Sequence, residues 1–112
     1  HRVSEDQIDA VTALSGSGPA YVFAMVEAMA AAGAAIGLPA ELALQLTVQT
    51  VAGAAEMLCQ GIGSPAELRT AVTSPGGTTA AGLAVLEEAR FGELIRRVVE
   101  AARRRAVELG QA

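Results

Sequence analysis

Residues 19–36 are apolar on every side of any helix they form, with Glu27 as their sole charge. A helix without a polar face has to be covered all round. The stretch, about eighteen residues long, approaches the length of a membrane span. Yet alanine and glycine dominate it, and Glu27 would cost about 2.5–3.5 kcal/mol at a bilayer centre. No membrane partner is therefore expected. The sequence points instead to a helix buried between two protein chains, with Ala28, Ala31, Ala32, Gly33 and Ala35 letting backbones approach closely and Glu27 requiring a partner such as an arginine.

Composition strengthens the case for a second copy. The 112 residues are 52% hydrophobic and only 3% aromatic, so the apolar content is aliphatic and mostly alanine. Small side chains bury little area each, and a lone domain of this size struggles to offset its ordering entropy. The formal charge of −4 excludes a nucleic-acid partner, because phosphate binding requires a positive field. All basic residues are arginine. Cys59 is the single cysteine, which rules out an internal disulfide and suits a reducing compartment. No basic segment followed by an apolar run opens the sequence, so the expected location is cytoplasmic.

Glycine, proline and capping residues divide residues 1–112, read as one domain, into about six helices, and no alternating pattern suggests a strand. The expected fold class is all-α. Ser4 and Gln7 form a capping box for a first helix that Ser15-Gly16-Ser17-Gly18 should end, and Pro19 opens a second running to Ile36. Gly37-Leu38-Pro39 leads into a third helix to Gln60, about 31 Å long, with Glu41, Gln45, Gln49 and Glu56 on one stripe. Ser64-Pro65-Ala66-Glu67 is another capping box, opening a short helix to Val72. A fifth helix ends at Glu88, and a sixth follows Gly92 and stops at Gly110. On that last helix, Arg96, Arg97 and residues 103–105 read as a solvated face, with Glu93 facing Arg97, Glu100 facing Arg104 and Arg104 facing Glu108.

The usual catalytic constellations are missing. His1 is the single histidine and lies at a terminus, which leaves no histidine triad, and no metal site is expected. Cys59 sits on an apolar helix, as a structural thiol does. There is neither a P-loop nor a G-x-G-x-x-G, so this chain alone does not hold a dinucleotide. What remains is Ser74-Pro75-Gly76-Gly77-Thr78-Thr79, two glycines and three hydroxyls before a helix. A helix N-terminus with unpaired N–H groups attracts a carboxylate or phosphate. A plain Pro-Gly turn with a threonine cap accounts for the same spacing equally well.

Several segments together carry a resemblance: Ile8-Asp9-Ala10-Val11-Thr12, Ser15-Gly16-Ser17-Gly18-Pro19-Ala20-Tyr21, Gly37-Leu38-Pro39, and Ala71 through Thr79. On these the chain resembles the C-terminal domain of the pyrroline-5-carboxylate reductase family. The resemblance implies a helical domain that interleaves with a twin into a homodimer, family members also building rings of dimers, with an N-terminal dinucleotide-binding domain outside this chain. It implies hydride transfer from NADPH or NADH to 1-pyrroline-5-carboxylate, giving L-proline. It also implies that Ser74, Gly76, Gly77, Thr78 and Thr79 grip the substrate carboxylate, that Thr79 is catalytic and nearest the nicotinamide, and that Glu5 lies near the substrate. Ala71 departs from relatives with a polar residue there, and Tyr21 is expected to pack at the dimer interface. Two other readings remain: a free-standing helical oligomerisation module, and a helical domain of the hydroxyacid and sugar-acid dehydrogenases, which typically need a lysine this chain lacks.

Overall fold

A computed structural model describes residues 4–111, and His1 lies outside them. The described residues are all-α, without a strand: α1 (Glu5–Val11), a π-helical turn (Thr12–Gly16), α2 (Gly18–Ala35), α3 (Ala40–Cys59), α4 (Pro65–Ala71), α5 (Thr78–Glu88) and α6 (Phe91–Gln111). They form two units, one taking the residues up to Val22 and those from Ala84 onward, the other Phe23–Leu83.

In the first unit, Ser4 accepts the Gln7 N–H while the Gln7 side chain accepts the Ser4 N–H, so the expected capping box starts α1. Ser15-Gly16-Ser17-Gly18 does not end the helical path, contrary to the sequence reading. Pro19 has no N–H for the Ser15 carbonyl, and its ring would collide with that carbonyl in an unbroken α-helix. The chain instead widens into the π turn, where Ser17 donates to the Thr12 carbonyl at 2.8 Å. Ala13, in this turn, is 0% exposed and is the unit's one buried residue. Both α1 and the π turn pack on α6.

Helix α6 starts at Phe91 rather than after Gly92, and Gly110 does not stop it. Arg90, just before it, sits at φ 57°, the left-handed position that usually closes a helix with glycine. Its ion pairs are spaced by three residues, not four: Glu93 with Arg96, Glu100 with Arg103, and Arg105 with Glu108 at 3.0 Å. Only Glu100 with Arg104, at 4.0 Å, keeps the four-residue spacing. Hydrogen bonds from Arg96 and Arg103 hold the Glu93 and Glu100 carboxyls below the ordinary glutamate range.

In the second unit, α2 ends in a Schellman motif, with Gly37 at φ 116°, its N–H on the Ala34 carbonyl, and the Leu38 N–H on the Gly33 carbonyl. This turn lays α3 against α2 so closely that a Cβ on Gly33 would stand 3.1 Å from the Ala43 Cβ. Ala43 and Thr47 are buried, and Val51 continues their line. At 100° per residue, Glu41, Gln45 and Gln49 fall opposite that line, as their stripe implied. The flanks are another matter: Leu42, Leu44, Leu46 and Val48 of α3, and Phe23, Met25 and Met29 of α2, are exposed. Glu27 is exposed too and has no ion-pair partner among the described residues. By length and composition, Glu5–Ala35 and Ala40–Cys59 are long and apolar enough to cross a membrane.

Candidate functional site

Helix α4 leads into the glycine-rich segment. Ser64 accepts the Glu67 N–H at 3.1 Å and Glu67 accepts the Ser64 N–H at 2.9 Å, the second expected capping box, with Pro65 at the first helical position. These bonds hold the Glu67 carboxyl below its ordinary range, the backbone N–H of Ser64 first. The helix closes at Val72, and the Thr73 N–H turns back to the Thr70 carbonyl at 3.0 Å.

Residues 74–77 then make a tight turn in which Gly77 donates to the Ser74 carbonyl at 3.0 Å. Proline at the second position and Gly76 at φ 72° are the signature of a type II turn. Gly77 is constrained for a different reason: a Cβ there would lie 3.2 Å from the Ser74 carbonyl oxygen. The Gly77 carbonyl accepts the Ala81 N–H at 3.1 Å, so Gly77 caps α5. Thr78, Thr79 and Ala80 are therefore the first three residues of α5, whose N–H groups have no carbonyl partner among the described residues. Ser74, Gly76, Thr78 and Thr79 are exposed beside them, while Gly77 and Ala80 are partly buried.

The turn thus brings five of the expected site residues, Ser74, Gly76, Gly77, Thr78 and Thr79, into one short segment. It distributes their work differently from a uniform row of donors. The Gly77 N–H is engaged inside the turn, so Gly77 contributes shape, whereas Ala80 contributes a donor that no sequence signal marked, since which N–H groups stay free depends on how the turn closes. Unpaired N–H groups aligned at a helix start, with hydroxyls alongside, attract a carboxylate without a charged side chain. Glu5 is exposed on the first turn of α1, in the other unit. Tyr21 is partly buried, and its hydroxyl donates to the Ala13 carbonyl at 3.1 Å. Cys59 is exposed at the end of α3.

A family model described as pyrroline-5-carboxylate reductase dimerisation matches residues 5–109. Among curated relatives, a pyrroline-5-carboxylate reductase of Synechocystis sp. is 51% identical over 97% of this chain and 41% of its own length. One of Arabidopsis thaliana is 51% identical over 98% of this chain and 40% of its own length. Among solved structures, a pyrroline-5-carboxylate reductase from Coxiella burnetii superposes with TM-score 0.92 at 49% identity, over 96% of this chain and 40% of that one. A Plasmodium falciparum pyrroline carboxylate reductase, described as having NADP bound, superposes with TM-score 0.92 at 38% identity, over 98% of this chain and 42% of that one. The chain spans about two fifths of the length of the relatives it matches. From residue 5 to residue 109, in sequence and in fold, it belongs to the pyrroline-5-carboxylate reductase family, as that family's dimerisation domain.

Proposed function

We propose that this chain is the dimer-forming and substrate-gripping part of an enzyme that reduces 1-pyrroline-5-carboxylate to L-proline with NADPH or NADH, the last step of proline biosynthesis. The observation that carries the reading is the type II turn of residues 74–77, which leaves three N–H groups and the hydroxyls of Ser74, Thr78 and Thr79 at the start of α5, in a chain of this family. The nicotinamide, when bound, supplies the hydride for the C=N bond. Its dinucleotide belongs mainly to a separate N-terminal domain, because this chain carries no glycine-rich phosphate fingerprint of its own. The NADP named for the P. falciparum relative supports that cofactor class.

In this reading the substrate carboxylate docks on the Thr78, Thr79 and Ala80 N–H groups, with the Ser74 and Thr78 hydroxyls as further donors. The absence of side chains at Gly76 and Gly77 keeps the approach open. The Thr79 hydroxyl, nearest the reacting ring, orients the imine toward the nicotinamide, a task of positioning rather than base catalysis. By resemblance alone Glu5 is assigned to the substrate, where a carboxylate favours the protonated imine, the form that accepts hydride. A second copy covers the apolar flanks of α2 and α3, giving a cytoplasmic homodimer and, by resemblance, a ring of dimers. In the full-length enzyme, Thr79→Ala should lower kcat/KM for pyrroline carboxylate by about tenfold to a hundredfold, with dinucleotide binding unchanged. Wild-type kinetics would remove Thr79 from the site, and with it the central role given to this turn.

A further inference from the structure

Helix α4 ends by an exchange of donors on a single residue. In a continuing α-helix the Thr73 N–H would bond the carbonyl four residues back, that of Arg69. Here it bonds the Thr70 carbonyl instead, at 3.0 Å, across Val72 at φ −100° and ψ 9°. The Arg69 carbonyl still has a partner, because the Thr73 hydroxyl donates to it. The side chain thus replaces the backbone donor that the closing turn withdrew, which a hydroxyl can do and an apolar side chain cannot.

Pro75 does not impose this arrangement. It disfavours a helical Ser74 and has no N–H for the Ala71 carbonyl, so it explains why α4 stops. Its constraints reach back no further than Ala71 and leave open how Thr73 and the Arg69 carbonyl are held. Thr73 is the residue that hands the chain from α4 to the glycine-rich turn, where the Ser74 carbonyl takes the Gly77 N–H and Gly77 caps α5. Its two bonds therefore tie the start of that turn back onto α4. All these groups, from Arg69 to Thr79, lie within the unit Phe23–Leu83.

We infer that Thr73 is a positioning residue: its hydroxyl, held on the Arg69 carbonyl, anchors the turn to α4 and so fixes where Ser74 is presented to the substrate carboxylate. The consequence for substrate rests on the role proposed for Ser74; the anchor does not. Arg69 is exposed, so water can take over its carbonyl and a variant without the hydroxyl still folds. Valine keeps the branched shape and removes the donor, whereas serine keeps the donor and removes a methyl. Thr73→Val and Thr73→Ser in the full-length enzyme separate the two.

Trypsin reads the anchor directly, because the Arg69–Thr70 bond lies in the last turn of α4 and is cut only when that turn opens. Cleavage after Arg69, followed by fragment mass, should quicken about fivefold in Thr73→Val, the scale of one lost hydrogen bond, and stay at the wild-type rate in Thr73→Ser. Cleavage after Arg90 should not change in either. KM for pyrroline carboxylate should rise in Thr73→Val by about the same factor, with kcat and KM for the dinucleotide unchanged, and Thr73→Ser should restore it. Adding Thr73→Val to Ser74→Ala should raise KM little beyond Ser74→Ala alone. Equal cleavage after Arg69 in all three proteins would overturn the anchor. Faster cleavage with wild-type substrate KM would overturn the link to the site and leave Thr73 a purely structural residue. Wild-type KM in Ser74→Ala alone would instead remove Ser74 from the site, and the consequence for substrate with it, whatever trypsin shows.

Discussion

Gly76 and Gly77 are adjacent and chemically identical, yet the turn needs each for a different reason. Gly76 stands at φ 72°, where a Cβ strains the backbone whatever space surrounds it, and nothing lies within 4 Å of that position. Gly77 has an ordinary backbone but faces the Ser74 carbonyl oxygen at 3.2 Å from its would-be Cβ. The two causes separate experimentally. Gly76→Ala should cost about 1–2 kcal/mol in urea unfolding, the usual penalty for an L side chain in the left-handed region. Gly76→Asn should cost less, because asparagine tolerates that region. Equal losses from both substitutions would mean that the turn is limited by room, not by backbone conformation.

At the scale of elements, what is local in sequence was legible and what depends on closure was not. The pairs Ser4 with Gln7 and Ser64 with Glu67 could be identified as capping boxes because each is complete within four residues. The end of α2 at Gly37-Leu38 was legible for the same reason. The π turn was not: Ser15-Gly16-Ser17-Gly18 has the composition of a stop, yet the chain widens through it ahead of Pro19, with Ala13 buried and its carbonyl accepting from Tyr21. The free donor of Ala80 escaped notice likewise, since it is defined by what Gly77 does in three dimensions. The approach of α2 to α3 is another non-local feature. In an isolated helix, Gly33→Ala would gain about 1 kcal/mol from propensity. Here the added methyl meets Ala43 at 3.1 Å and Leu38 Cδ1 at 3.6 Å, and overpacking of that kind costs about 1–3 kcal/mol. Net destabilisation by Gly33→Ala in chemical denaturation is expected, with Ala43→Gly in the same chain recovering part of it. Additive effects of the two changes would show that the helices do not meet there.

At the scale of the whole molecule, the decisive fact is how little each unit covers of its own apolar surface. Ala13 is the buried residue of one, and Ala43 and Thr47 are those of the other, while Phe23 is 66% exposed and Leu46 49%. A hydrophobic burial coefficient of about 25 cal/mol per Å² turns such surface into a strong drive toward association. Lipid and a second copy are the two available covers for helices of this length, and the charge of Glu27 and the polar stripe of α3 favour protein. Leu46→Glu distinguishes a covered face from an idle one. On a surface that stays in water, such a change stays within about 0.5 kcal/mol. Beneath a partner chain it buries a carboxylate without a counter-charge, a loss of about 3–5 kcal/mol where a buried pair is broken and comparable here. The 112-residue chain should sediment as a dimer or larger at micromolar concentration, with a melting temperature that climbs as the protein is concentrated. Leu46→Glu should shift it to the mass of a single copy, melting lower and independently of concentration. A variant that keeps both the assembled mass and the concentration-dependent melting would place the contact elsewhere, on the flank of α2 around Phe23 instead of on α3.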